Sequence, residues 1–492
     1  MNTPDPHLEA RIDEVTEHAT HVVELAGTAI AIGAMLILAL RASLRLELRW
    51  DTFYYHLPFA ARHARMGVPY EPIPMLEAYY HGAPPLPEFL QGLLWRLTGS
   101  INATGVVNYL ALALFLYFAW KHLGARLWLL TVLALTVPMV LIHAASSYVD
   151  LCTQAFVAIG VTGFLSMVLF DRWSEKRLLL WTLGGLAAGA WSKFSAPAIV
   201  LPVMVALLTV YGWQWQRGNA VAKRQLLLVV AGLVVALLPY AKNEVLYRNP
   251  TWPTGIALFR GYFPTKLDLS ALHDEQIPPP LMGQSQSSIF FHSLFEVGHP
   301  TSYPNRERWN IDQGNAWIAY RSGGFWVVAV VTGAVVAVLL GFLSAPWRGW
   351  TIAGTIVLLW CFLSVLPQSN ELRYFQFLPL TVSTLIAVLW PRVRVGYPVT
   401  SLTIVVLLLA EFIWVTKVNK HYYSVEHVGY KEAAEFWGIE PYWKTMQPGE
   451  TYCAVNFRPA GFLLTGPTMH EFHIIDRQDA AECPAGVKVL QR

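Results

Sequence analysis

A chain of 492 residues that is 55% hydrophobic and only 14% charged is too poor in charge for a large soluble protein, where about a quarter of residues carry charge. Its mean hydropathy of +0.41 places it among polytopic membrane proteins. The net charge of +3 gives no general affinity for nucleic acid, so any cation that matters must act locally.

The N-terminal segment, 1–21, is polar and partly acidic, without the basic start and adjoining apolar core of a cleavable signal peptide. A membrane span needs about 20 mostly apolar residues. Spans are expected near 22–42, 103–120, 127–145, 151–170, 178–192, 195–213, 225–241, 324–344, 350–367, 374–390 and 399–416. The fold class is therefore an all-α polytopic membrane protein of about eleven transmembrane helices, with helices in the outer loops and a small C-terminal α/β domain. The short loops KHLGAR, DRWSEKR, QWQRGNAVAKR, APWRGW and PRVRV are basic, which the positive-inside rule places in the cytoplasm. The N-terminus is then cytoplasmic. A first outer loop (43–102), a large outer loop (242–323) and the tail (417–492) all lie outside a bacterial inner membrane.

The first outer loop concentrates unusual features. Arg41, Arg45 and Arg49 recur every four residues, the spacing of one helix face, and stand outside against the charge rule. Asp51 follows them, and amphipathic helices are expected at roughly 53–66 and 85–98, suited to the membrane interface. The large outer loop is rich in Pro, Gly, Ser and aromatics and too long for a simple connector; it reads as a flap. The tail carries a helix near 426–437, then the β-like runs TYCAV and EFHIID. Cys453 and Cys483 both fall there, and an oxidising compartment favours a disulfide between them. Cys152 and Cys361 lie in apolar spans and read as small hydrophobes. No repeat, dinucleotide fingerprint or P-loop is present.

Asp51 is either a helix cap or a general base taking a proton from an acceptor hydroxyl. Asp150, in SSYVD, opens the fourth span, where the helix dipole also favours an acid. Lys193, in WSKFS, is an ionisable group at membrane depth; its partner is a lipid-linked phosphate or, failing that, Asp150. Arg373 suits bidentate recognition of phosphate, with Glu371 and Tyr374 beside it in the same hairpin. Lys242 adds a cation at the start of the large loop. His56 and His81 offer proton transfer or, with Glu77, a divalent-metal site; without a His-x-x-x-His spacing, local hydrogen bonding is the favoured reading. No cofactor is indicated. Topology brings Asp51, Asp150, Lys193, Lys242 and Arg373 to one membrane face, an arrangement suited to transferring a group from a phosphate-activated donor.

Six motifs, in order, resemble the bacterial polytopic GT-C glycosyltransferases of the broad protein-mannosyltransferase-like group. They are W-D-x-x-x-Y-H-L-P (50–58), H-G-A-P-P-L-P-E-F (81–89), S-Y-V-D (147–150), S-K-F-S-A (192–196), K-N-x-x-x-x-R-N-P-T-W-P (242–253) and E-L-R-Y (371–374). The resemblance covers roughly residues 40–390. It implies transfer of a sugar from a polyprenyl-phosphate carrier to an acceptor hydroxyl on a glycan, lipid or protein. It also implies Asp51 as catalytic acid–base, Lys193 on the carrier phosphate, and loop 242–323 closing over the site. Lys242, Arg373, Arg45 and Arg49 are the further candidates for the phosphate, and Asp150 is the second catalytic candidate. Tyr55, His56, Glu77, His81, Glu371 and Tyr374 are candidates for the sugar and acceptor. One departure stands out: the family often pairs two acids in the first loop, whereas Thr52 follows Asp51 here, so the second acid is Asp150, Glu77 or absent. The six motifs leave the tail without an assigned counterpart in the family. Two other functions compete, a transporter for a lipid-linked glycan and an oligosaccharide ligase or polymerase using a pyrophosphate donor.

Overall fold

The structure is a computed structural model that describes residues 6–48, 50–255, 263–265, 283–295, 327–366, 369, 372–392 and 427–492. The chain is mostly helical, with a small sheet near its C-terminus. Among the described residues five helical segments are long and apolar enough to cross a membrane: His21–Leu44, Ile101–Leu123, Asp150–Phe170, Pro197–Gln216 and Ala220–Tyr247. Val330–Ser344 and Phe377–Arg392 are apolar but shorter.

The first span lies within one long helix, α1 (Pro6–Leu44). Its Leu25, Ile32, Leu36 and Ile37 are each more than half exposed, an apolar face that suits lipid rather than water. In the first loop come strand β1 (Leu46–Glu47), a π-helical turn Thr52–His56 continuing into α2 (Leu57–His63), strand β2 (Tyr70–Glu71), α3 (Pro74–Gly82) and α4 (Leu86–Thr98). Pro58 cannot donate to the carbonyl four residues back and its ring crowds it; the widened turn just before it is the response, with Leu57 N–H reaching back to Thr52 O. The two expected loop helices are α2, led in by the π-turn, and α4. The Pro-initiated α3 between them was not foreseen.

The Ile101–Leu123 span is centred on α5 (Val106–Phe118). The expected span 127–145 is broken into α6 (Leu127–Leu135) and α7 (Pro138–His143). A residue preceding proline is pushed out of the helical region, and Val137 is accordingly extended at φ −79°, ψ 110°. Helix α8 (Asp150–Phe170) is buried along most of its length and forms the hub of the bundle. Helix α9 (Lys176–Ala190) crosses it so closely that a methyl group at Gly163 would collide with the Thr182 hydroxyl, an approach that only small residues permit. Helices α10 (Pro197–Gln216) and α11 (Ala220–Tyr247) follow, and then the later helices Gly333–Ser344, Pro346–Ser364 and Phe377–Leu389. The expected span 399–416 and most of the large loop lie outside the described residues.

The tail supplies strands β3 (His427–Val428), β4 (Thr451–Val455), β5 (His473–Arg477) and β6 (Lys488–Gln491). The runs TYCAV and EFHIID form β4 and most of β5, and the expected helix is Tyr430–Phe436. Cys453 and Cys483 are disulfide-bonded, with Cα atoms 5.8 Å apart. The sheet is parallel, in the order β2-β5-β4-β6, so its first strand is taken from the first loop. A second two-stranded pairing joins Leu46 of β1 to Val428 of β3. One core unites the segments: Leu46, Phe53, Leu57 and Trp95 pack with Ala434, Phe462 and Ile474.

This capture corrects the arginine stripe. Arg41 sits in the last turn of α1, but Arg45 lies past its end, where the chain has turned into β1. The two do not share a helix face, because pairing with β3 ends the helix first. Arg49 lies outside the described residues.

Asp476 of β5 ties the two segments together, accepting a 2.8 Å hydrogen bond from Tyr70 of β2. Burial pushes its carboxyl up to about 6 from an ordinary 3.8. An acid that binds its proton more tightly when folded favours the folded state fully at low pH, and loses that advantage as pH rises through its folded value. The wild-type protein is therefore expected to lose stability relative to Asp476→Asn between pH 4 and pH 6, by up to about 3 kcal/mol. Thermal unfolding of both proteins across that range checks this; parallel curves would contradict it.

Candidate active site

The SSYVD loop between α7 and α8 is fixed from several sides. Asn108 of α5 donates to Ser146 O at 2.9 Å and to Tyr148 O, while its own oxygen accepts from Cys152 N at 2.7 Å. Gln91 of α4 donates to Ser147 O at 2.6 Å, and Thr104 shares a 2.7 Å bond with the Ser147 hydroxyl. The Ser147 N–H and the Thr52 hydroxyl, both at 2.6 Å, donate to one oxygen of Glu47. All these polar groups are buried, where each unmade hydrogen bond costs about 1–3 kcal/mol. Tyr148 and Asp150 are thereby set in place.

Asp150 has a side chain only 1% exposed, and its carboxylate meets the Lys193 ammonium at 2.5 Å. Lys193 comes from the turn between α9 and α10, and its ammonium also lies 4.0 Å from the centre of the Tyr374 ring. Arg373 stacks at 5.0 Å on Tyr374 and at 5.6 Å on Tyr148. It donates to the Tyr374 hydroxyl at 3.1 Å and approaches the Asp51 carboxylate at 3.4 Å. An unbroken relay thus runs Asp51, Arg373, Tyr374, Lys193, Asp150. Asp51 stands at the N-terminus of the π-turn but makes no capping hydrogen bond, so its carboxylate serves the relay.

Tyr55 and His56 extend the site. Burial pushes the Tyr55 phenol well above its ordinary value, and the Asp51 charge adds to the effect; it remains a hydrogen-bond donor. His56 Nδ1 lies 3.1 Å from a carboxylate oxygen of Glu88, both side chains buried. Glu88 opens α4, where the helix dipole favours an acid. Tyr55, His56, Tyr79, Glu88, Lys193 and Phe194 line a narrow cavity with room for about one water.

Four expected residues lie elsewhere or are engaged differently. Glu77 is held by Arg62 in a bidentate pair at 2.5 and 2.8 Å, and contacts His81 Nε2 at 2.9 Å. The Arg62 hydrogen bonds hold its carboxyl below the usual value, so Glu77 is committed to that cluster rather than to Asp51. Lys242 donates to His81 O at 2.6 Å, and Asn243 to Gly82 O at 2.9 Å. Lys242 therefore ties the end of α11 to α3 beside the Glu77 cluster. Arg45 is exposed. Glu371 lies outside the described residues. His56 and His81 belong to different clusters, and among the described residues no three His, Cys, Asp or Glu side chains are placed to hold a metal ion.

Sequence reasoning missed Glu47 and Glu88. Glu47 is buried, and burial raises its carboxyl above the usual value. An acid set among arginines in LRLELR reads as solvated, and nothing local marks it as the clamp of a distant loop.

No protein-family model matches this sequence, and no curated protein does either. Among solved structures the chain is similar to ArnT from Cupriavidus metallidurans in the apo state, with 14% identity, a TM-score of 0.52, and 94% of this chain and 87% of that one covered. It is also similar to ArnT from the same organism bound to undecaprenyl phosphate, with 14% identity, a TM-score of 0.50, and coverage of 90% and 84%. The fold is therefore similar to that of ArnT over most of both chains.

Breaking a buried ion pair by removing one partner costs about 3–5 kcal/mol, much of it from the stranded charge. Asp150→Ala or Lys193→Ala is expected to destabilise the protein on that scale, while the double variant recovers at least 1 kcal/mol of the summed loss. A double-mutant cycle by thermal unfolding checks this; strictly additive losses would contradict it.

Proposed function

We propose that this chain is a GT-C-type glycosyltransferase that moves a sugar from a polyprenyl-phosphate-linked donor to an acceptor hydroxyl at the outer face of the cytoplasmic membrane. The observation that carries the reading is the relay itself. Carboxylates and cations from four separate segments meet at one end of the spans, and Lys193 among them lines a cavity. The ArnT-like fold supports it, since one of those structures holds undecaprenyl phosphate.

In this reading the acceptor hydroxyl gives its proton to Asp51 as its oxygen attacks the anomeric carbon. The bond from that carbon to the phosphate oxygen breaks, and its electron pair leaves with the phosphate. Lys193 and Arg373 stabilise the charge that builds there. Asp150 holds Lys193 in position, and Tyr374 spaces the two cations. One displacement inverts the anomeric centre. A transporter would favour polar residues near the midplane of the bilayer, whereas these gather where the spans end.

The same reading divides the chain into a cytoplasmic segment (1–21), a membrane domain of about eleven spans (22–416) and an outer segment (417–492). The Cys453–Cys483 disulfide suits an oxidising compartment on that outer side.

Asp51→Asn is expected to slow sugar transfer from an undecaprenyl-phosphate-linked donor by about 10²–10⁴-fold while binding of undecaprenyl phosphate is retained. Radiolabel transfer and lipid binding in nanodiscs measure the two quantities. Full-rate transfer by a folded Asp51→Asn protein would remove Asp51 from this role.

A further inference from the structure

The His56–Glu88 pair has chemistry that the relay does not use. A carboxylate only accepts hydrogen bonds, so Glu88, 3.1 Å from His56 Nδ1, fixes the ring hydrogen on that nitrogen. Nε2 is then a bare acceptor. It is buried and has no hydrogen-bond partner among the described residues, although a buried polar atom is normally satisfied. The ring is packed between Tyr55 and Tyr148, whose rings are tilted against it with centroids at 4.2 and 5.5 Å.

His56 lines the same cavity as Lys193, with the aromatic rings of Tyr55, Tyr79 and Phe194 around it. A space of about one water is the size of a single hydroxyl group, and a buried acceptor beside it, with a cation on the rim, suits one hydroxyl of a larger molecule whose phosphate lies toward Lys193. We infer that His56 Nε2 reads a single hydroxyl of the carbohydrate substrate by accepting its hydrogen, with Glu88 as the positioning residue that holds the ring in the required tautomer. The inference rests on the glycosyltransferase reading and assigns a specificity role within it. A positively charged or wrongly tautomeric His56 would present N–H to that hydroxyl instead, and the buried mismatch would discriminate against the substrate.

The hydroxyl belongs either to the donor sugar or to the acceptor, and one experiment separates the two. Undecaprenyl-phosphate monosaccharides, with each hydroxyl replaced in turn by hydrogen, are assayed for donor hydrolysis without acceptor and then for transfer to acceptor. With wild-type protein one deoxy analogue is expected to react at least about 100-fold more slowly than its parent. With His56→Phe that analogue and its parent should react within about threefold of each other, both slower than the parent on wild type. Discrimination already present in hydrolysis assigns the hydroxyl to the donor; discrimination only in transfer, seen with deoxy acceptors, assigns it to the acceptor. Retention of the full discrimination by His56→Phe overturns the inference while leaving the glycosyltransferase reading intact. Failure of wild-type protein to act on any sugar donor overturns both. An independent arm uses the imidazole ¹⁵N shifts of His56, which should show Nδ1 protonated and Nε2 bare in wild type, and a tautomer mixture in Glu88→Leu. A wild-type ring protonated on Nε2 also overturns it.

Discussion

A carboxylate almost wholly removed from solvent cannot be left alone, and the pairing of Asp150 with Lys193 answers that constraint. Much of the site follows from it. The start of α8 must lie against the turn between α9 and α10, and the glycine-mediated crossing of α8 and α9 brings it there. Lys193 is then near enough to Tyr374 to sit over its ring, and Tyr374 brings Arg373 with it to Asp51. Two acids and two cations balance one another, with aromatic faces between them. An anionic substrate group can enter such a relay by sharing cations that already have partners, so no bare charge need be buried when it leaves.

The tail gives the first loop its shape. By pairing β3 with β1 it stops α1 at Leu44, and by taking β2 into its own sheet it anchors the far side of the π-turn that carries Asp51, Tyr55 and His56. Arg458 of the tail reaches the face of Tyr54 in that turn, at 5.7 Å. The segment 427–492 therefore acts on the site through the backbone it holds.

Hydropathy and motif order made much of the molecule legible. Apolar runs marked the described spans with each end within six residues of its place, because burial in lipid imposes a length that composition alone satisfies. The clustering of Asp51, Asp150, Lys193 and Arg373 was readable from topology, since each stands where a span ends. Long-range pairing was not readable. Nothing in Leu46 or Tyr70 announces a partner some 400 residues away, and nothing marks Glu47 as buried, because its partners, Thr52 and Ser147, carry no charge pattern. For Lys242 the level in the membrane was legible, but the carbonyl of His81 to which it donates was not. The Arg41–Arg45 stripe was lost to a strand that only the tail could supply.

The central claim is that Lys193 and Arg373 together receive a lipid-linked phosphate beside Asp51. A structure of the protein with undecaprenyl phosphate tests it most directly. The account predicts the phosphate oxygens within about 4 Å of both the Lys193 ammonium and the Arg373 guanidinium, with the lipid tail leaving sideways between spans. A phosphate held instead at the Arg62–Glu77–Lys242 cluster, with the Asp150–Lys193 pair untouched, would contradict it.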